Sequence, residues 1–314
     1  MVFSILSLLV GFLLLIKGAD FFVDGSSSVA RQFKVPSLII GLTIVAMGTS
    51  LPELSVSITA SMANSNALAV SNVIGSNIFN LMVVLGASAL LTTLPVSSNV
   101  LKKDFPFSVA CALLMLALGF LGMELSRLDG IILLVIFVGF LAYQVRSALT
   151  ARKAALSAQE EGDEENRPFW LSLIFIVGGA TAVKFGGDGV VYGAKTIAAA
   201  FGLSENLIGL TIVALGTSLP ELVTSLVAAK KDELDMAVGN VVGSNVFNIL
   251  MILGTASVVS PITFIGENII DAAILMAFSV LVWVFCLTKR RLDRWEGGVM
   301  LLCYLCYTVY ICLR

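Results

Sequence analysis

The sequence contains no histidine among its 314 residues, and charged residues make up only 13% of it. The first absence removes the commonest metal ligand, the paired-histidine helices of metalloproteases, and any serine or cysteine nucleophile activated by an imidazole. The second sets the chain well below the roughly one-quarter charged fraction of soluble domains. Cysteine is scarce too, and Cys111, Cys286, Cys303, Cys306 and Cys312 all fall in apolar stretches, where a thiol packs as a small hydrophobe. Cys303 and Cys306 have the spacing of a redox pair, but no nearby cation favours a thiolate, so packing is their expected role. The net charge of −2 offers no basic face to a nucleic acid, and nothing marks an obligate protein partner.

What the chain has in abundance is apolar surface, 58% of residues with a mean hydropathy of +1.00. Apolar runs cover 2–23, 36–62, 67–92, 105–123, 128–149, 169–192, 204–229, 235–260, 268–288 and 295–313. Their lengths suit membrane-spanning helices of about 20 residues. The expected fold is an all-α integral membrane protein of ten transmembrane helices. The run starting at Val2 lacks the basic lead and small-residue cleavage site of a signal peptide, so it is expected to remain as the first span. The long polar connector, with Glu160, Glu161, Asp163, Glu164 and Glu165, reads as an acidic linker over 151–168 between halves at 1–150 and 169–314.

An internal repeat links these halves. GLTIVAMGTSLPE at 41–53 returns as GLTIVALGTSLPE at 209–221, twelve identities in thirteen at an offset of 168. At the same offset NVIGSNIFN (72–80) returns as NVVGSNVFN (240–248), and Gly18, Asp20 and Gly25 as Gly186, Asp188 and Gly193. The second and seventh spans are five helices apart, an odd number, so the copies enter the membrane from opposite sides. Inverted repeats of this kind characterise secondary transporters, whose sites form near the midplane between repeats. Positive charge sets the orientation, because cytoplasmic loops collect Lys and Arg. The odd-numbered loops hold fourteen of these cations, among them Arg31, Lys34, Lys102, Lys103, Lys230, Lys231 and Arg290, against Arg127, Lys195 and Arg314 on the other side. Both termini are therefore expected outside and the linker inside. Lys17 with Asp20 and Lys184 with Asp188 are expected to pair along their own helices.

The chemistry lies in the repeated segments. Pro52 and Pro220 each remove a helical N–H in mid-span, so the second and seventh helices must break or kink there. The Ala46 and Ala214 carbonyls are expected to lose helical donors, and irregular backbone at that depth lines a cavity. Glu53 and Glu221 follow the breaks, where a carboxylate needs a positive partner and the surrounding spans supply no Lys or Arg. A bound cation meets that need. Thr49, Ser50, Thr217 and Ser218 add hydroxyls on the same turns, while Ser76, Asn80, Ser244 and Asn248 add oxygens at i and i+4. The third and eighth helices are expected to be broken as well, completing a midplane site. Such an all-oxygen set suits Ca2+ or Na+ and suits soft metals poorly. Gly41, Gly209, Gly75 and Gly243 are read as close-packing positions, and Asn72, Asn77, Asn240 and Asn245 as caps or interhelical glue.

At these residues the chain resembles the cation/calcium exchanger superfamily, most closely the prokaryotic sodium/calcium exchangers, whose repeats carry GTSLPE-like and GSNxxN-like segments. The resemblance covers the whole chain. It implies two inverted halves of five helices, alpha-1 and alpha-2 signatures at 41–80 and 209–248, and Ca2+ exchange for Na+ by alternating access across a prokaryotic plasma membrane. It also implies no cofactor and no enzymatic activity. By motif position Glu53, Glu221, Thr49 and Thr217 would be the central ligands. Sodium sites would draw on the Ala46 and Ala214 carbonyls, Ser50, Ser218, Ser76, Ser244, Asn80 and Asn248. Some relatives carry Asp at one of the last two positions; Asn at both speaks against potassium dependence. Proton-coupled relatives use a histidine that this chain lacks, although proton or another divalent-cation antiport stays open as the alternative. A channel is disfavoured by the inverted repeats, and an aspartyl protease by the placement of Asp20 and Asp188 near helix ends.

Overall fold

The computed structural model describes residues 2–63, 66–157, 168–201 and 214–314. The first helix, α1 (Val2–Phe33), stops where Lys34 turns left-handed at φ 51°. The second span is bent by 48° between α2 (Ser37–Thr49) and α3 (Leu51–Met62). Then come α4 (Leu68–Leu91), α5 (Val100–Gly122), α6 (Arg127–Ser157) and α7 (Phe169–Ala200). The short α8 (Ala214–Gly216) precedes α9 (Leu219–Lys230), and α10 (Leu234–Val259), α11 (Gly266–Lys289) and α12 (Arg294–Leu313) complete the chain. Among the described residues eight helices are long and apolar enough to cross a membrane, and the α2–α3 pair passes the same test. The chain is thus an all-α, multi-spanning membrane protein. The opening of the seventh span, with Gly209, lies outside the described residues.

Several elements differ from the sequence expectation. α1 runs ten residues and α7 eight past their apolar runs, because each end packs on the start of the other helix: Ser172 Oγ donates to Ser28 Oγ at 2.9 Å, and a Cβ on Gly193 would meet Ser4 O at 2.6 Å. α6 extends to Ser157, so the expected linker begins as helix, and its acidic part lies outside the described residues. The breaks expected in the third and eighth spans are absent: α4 and α10 are continuous. Each instead widens into π-helix, at Asn80–Val84 and Asn248–Leu253. Neither helix contains a proline to remove a hydrogen bond, so the ladder loosens without breaking.

α4 and α10 form the centre, with 78% and 83% of their apolar stretches buried, against 28% and 22% for α1 and α7 at the periphery. Gly41 and Gly243 pack as expected; a Cβ on them would meet Met236 O at 2.6 Å and Leu42 O at 2.5 Å. Around Gly75 no described atom lies within 4 Å of such a Cβ. α1 and α7 lie antiparallel and touch backbone to backbone through glycines seven residues apart. A Cβ on Gly18 would sit 2.8 Å from Val183 N, and one on Gly186 2.6 Å from Leu15 N. Gly11 and Gly179 extend the same seam, so the zipper is longer than the duplicated glycines singled out in the sequence.

Two short strand pairs tie the halves together. β1 (Leu94–Pro95) pairs antiparallel with β4 (Arg291–Leu292), and β2 (Glu124–Leu125) with β3 (Ile262–Thr263). Each pair joins one loop of the first half to one of the second.

Candidate functional site

The bend at Ser50 starts a new helix inside the protein. Ser50 (φ −84°, ψ 10°) precedes α3, whose first turn holds Pro52 and Glu53, and Ser218 precedes α9 with Pro220 and Glu221 in the same places. Both glutamates therefore sit at helix N-termini, where unpaired N–H groups and the helix dipole favour negative charge. Pro52 cannot reach the Gly48 carbonyl four residues earlier, so that is the oxygen deprived of its donor. The Ala46 carbonyl, expected to be free, instead accepts from Ser50 N at 3.1 Å, because α2 keeps its ladder through Thr49. Ser244 Oγ lies 3.5 Å from the same oxygen. In the other copy Ser218 N donates to Leu215 O at 3.2 Å, just past Ala214. A Cβ at Gly48 would meet the tip of the Phe22 ring of α1 at 2.7 Å, so the ring packs directly on the break.

Glu53, Glu221, Ser50, Ser218, Ser244, Asn80 and Asn248 have no exposed surface, and Thr49 and Ser76 are buried beside them. The two halves hold each other's acids. Ser50 Oγ donates to Glu221 Oε1 at 2.8 Å, and Ser218 Oγ lies 3.1 Å from Glu53 Oε1. Ser76 Oγ lies 3.4 Å from the same Glu53 oxygen and 3.0 Å from Ser218 Oγ. Thr49 Oγ1 lies 3.1 Å from Val45 O and 3.2 Å from Asn240 Oδ1. Thr217 is half-buried at the corresponding position.

Behind these groups is a scaffold of amides. Asn72 Nδ2 donates to Ser57 Oγ (3.0 Å) and to the Glu53 carbonyl (3.3 Å). Asn240 does the same to Ser225 Oγ (2.9 Å) and the Glu221 carbonyl (3.5 Å). Both thus act as interhelical glue. Where α4 and α10 cross, Asn77 Nδ2 and Asn245 Nδ2 each donate at 3.2 Å to the other's backbone carbonyl. Asn80 Nδ2 donates to Asn245 Oδ1 at 3.2 Å, and Asn248 Nδ2 to Asn77 Oδ1 at 2.9 Å and Ser76 Oγ at 3.2 Å. The glue role expected of Asn77 and Asn245 is thus seen, but their crossed partners, and Ser57 and Ser225 within the scaffold, escaped the sequence reading; the exact recurrence of these residues at the repeat offset was the available signal.

Once these bonds are made, four acceptors remain. Of the site groups described above, Glu53 Oε2, Glu221 Oε2, Asn80 Oδ1 and Asn248 Oδ1 are buried with no hydrogen-bond donor among the described residues. Leaving one buried polar atom unsatisfied costs about 1–3 kcal/mol, more when it is charged. Among the described residues no Lys or Arg is buried beside them, so the two carboxylates call for a cation or a proton, and the two amide oxygens for a donor or a cation. Among the described residues no group of three or more His, Cys, Asp or Glu assembles, which leaves oxygen ligands of mixed charge as the available chemistry. Lys17 and Lys184 pair along their helices with Asp20 (3.7 Å) and Asp188 (2.8 Å) as expected, but Asp20 also receives Lys231 from the end of α9 at 3.1 Å.

Known proteins are similar to this chain along its whole length. CaxA of Alkalimonas amylolytica is 39% identical, over 98% of each chain. The sodium/calcium exchanger MaX1 of Methanosarcina acetivorans is 29% identical, again over 98% of each. The structure of the sodium-calcium exchanger NCX_Mj soaked with zero Na+ and Ca2+ is similar with a TM-score of 0.86 and 33% identity over 99% of each chain. The family model described as sodium/calcium exchanger protein matches residues 3–146 and 171–313, and the chain belongs to that family, within the cation/calcium exchanger superfamily.

Proposed function

We propose that the protein is a secondary antiporter that exchanges Ca2+ for Na+ by alternating access, with the ion held between the two repeats. The observation that carries this reading is the set of four orphan oxygens, Glu53 Oε2, Glu221 Oε2, Asn80 Oδ1 and Asn248 Oδ1. Glu53 and Glu221 are the charged ligands, with Thr49 and Thr217 beside them. Ser50, Ser218, Ser76, Ser244, Asn80, Asn248 and the backbone at Ala46 and Ala214 complete the sodium positions. In the ion-free site two carboxylates face each other in a low dielectric, and either one Ca2+ or several Na+ neutralise them. Exchange rather than leak follows when only the neutralised core reorients. The glycine seam lets α1 and α7 slide as one bundle, with Phe22 pressed on the break at Gly48.

The same reading takes the chain as ten helices in two inverted halves, 1–150 and 169–314, joined by the acidic linker at 151–168. The strand pairs support it. β2 and β3 lie side by side, so their loops share a membrane face, and α6, α7, the seventh span and α10 lie between them. Only an even number of crossings returns the chain to the same face, which requires the seventh span to cross. Both termini are then outside and the linker cytoplasmic, as the distribution of Lys and Arg indicates.

The decisive experiment loads proteoliposomes and imposes Na+, H+ and K+ gradients one at a time while Ca2+ uptake is followed. An outward Na+ gradient is expected to drive uptake, with no dependence on K+. Full uptake driven by protons with Na+ absent would overturn the sodium assignment, and flux needing no counter-ion would make the protein a channel.

A further inference from the structure

An asparagine amide presents an acceptor from one side and a donor from the other, and the two faces have nearly the same shape. Asn80 and Asn248 serve a cation only when the oxygen faces it; turned over, each would aim an NH2 at the ion. Something must set the orientation. Ser76 Oγ, 3.2 Å from Asn248 Nδ2, does not, because a hydroxyl donates or accepts with equal ease. Asn77 and Asn245 do discriminate. Each has its Nδ2 committed to a backbone carbonyl of the other, an atom that only accepts (3.2 Å in both cases). The remaining atom, Oδ1, can only accept, and it faces Asn248 Nδ2 at 2.9 Å from Asn77 and Asn80 Nδ2 at 3.2 Å from Asn245. With the nitrogens anchored there, Asn80 Oδ1 and Asn248 Oδ1 are left as the buried oxygens without donors.

We infer that Asn77 and Asn245 are positioning residues for ion binding: each fixes the amide orientation of the opposite half's ligand, Asn77 that of Asn248 and Asn245 that of Asn80, so that an oxygen faces the ion. The inference rests on the ligand reading above. All four side chains are at least 98% buried, so water is not at hand to take over the anchoring role. The two backbone carbonyls are the reference against which both amides are oriented. Because the anchors belong to the opposite repeat, the ligand oxygens are correctly presented only while α4 and α10 keep their crossing.

A carboxylate has two equivalent oxygens and needs no orienting partner, and this provides the test. Asn77→Ala should raise the Na+ concentration giving half-maximal thermal stabilisation of the purified protein by about tenfold, the equivalent of about 1.4 kcal/mol. In an Asn248→Asp background the same Asn77→Ala change should cost less than about twofold, since a carboxylate has no wrong face and no N–H left for Asn77 Oδ1 to anchor. Asn245→Ala with Asn80→Asp repeats the cycle in the other half, so that a folding failure of one variant leaves the second cycle decisive. Equal losses in the Asn and Asp backgrounds would show Asn77 and Asn245 to be packing residues only and would overturn the inference. Glu53→Gln serves as the reference: if it keeps the full Na+ response, the ligand reading fails instead, and the two failures are distinguishable.

Discussion

In the first half Asn72 holds Ser57 at 3.0 Å, and in the second Asn240 holds Ser225 at 2.9 Å; Ser50 reaches Glu221 while Ser218 reaches Glu53. Along α1 and α7 the correspondence fails. Lys231, at the end of α9, bridges Asp20 at 3.1 Å and Asp24 at 2.7 Å on α1, and Arg31 lies 3.5 Å from Glu233. At the repeat offset Asp20 has the acidic mate Asp188, which pairs with Lys184 on its own helix, but the mates of Lys231, Asp24, Arg31 and Glu233 are Ala63, Tyr192, Ala199 and Ser65, none of which carries a charge. On the ligand reading proposed above, the central residues meet the same ion whichever side admits it, which favours equivalent groups in both copies. The ends of the bundle face two different compartments, and there the copies are free to diverge. This comparison predicts that sidedness is carried by the periphery and ion chemistry by the centre.

The sharpest test of the central equivalence removes one charge at a time. Glu53→Gln and Glu221→Gln should each abolish Ca2+ exchange in proteoliposomes, because breaking a buried charge pairing costs about 3–5 kcal/mol, a hundredfold or more in affinity. Both variants should keep their fold and lose most of the Ca2+-induced rise in Tm. A variant that retained near-normal exchange would show that the two acids are not equivalent ligands.

The bundle seam is next in size. Gly18→Leu and Gly186→Leu drive a side chain into partner backbone at 2.8 and 2.6 Å. Each should lower Tm by about 5 °C and slow exchange, since overpacking costs about 1–3 kcal/mol. Unchanged transport with α1 crosslinked to α2 would argue against sliding of the bundle. Smaller again is the loss of a neutral ligand: Asn80→Ala or Asn248→Ala should weaken Na+ coupling by about tenfold, as one hydrogen-bond-strength contact is removed, with less effect on Ca2+ binding.

The smallest effect tests the asymmetry. Lys231→Gln should change the ratio of outward- to inward-facing protein by no more than about fivefold, because half-exposed ion pairs contribute about 0–1 kcal/mol. Accessibility of cysteines on the two faces measures it, and the effect should fade at high salt. Installing the mirror bridge with Ala63→Lys and Tyr192→Asp should shift the ratio the other way. If neither change moves it, the uneven charges have no part in sidedness.

How much of this was legible in the sequence depends on whether a residue's partner is local. The acids and the prolines stand out because a carboxylate or a missing N–H at membrane depth is costly wherever the chain goes. Ser50-Leu51-Pro52-Glu53 has the spacing of a capping box, which would pair Ser50 with its own helix start. Neither Ser50 nor Ser218 makes that local cap; each hydroxyl is taken by the other half's glutamate. The π-helical turns at Asn80 and Asn248 were likewise illegible, since nothing in local propensity marks a ladder that widens to fit a neighbour.

The sequence by itself determined the membrane setting, the duplicated architecture and the identity of the two acids, because hydropathy, repetition and an unpaired charge are properties of the chain before it folds. Only the tertiary structure decided which oxygens are left over. Asn77 and Asn248 are 171 residues apart, and so are Ser50 and Glu221. An oxygen becomes a free ligand only after every nearby donor has been assigned, and here the decisive donors arrive from the opposite repeat.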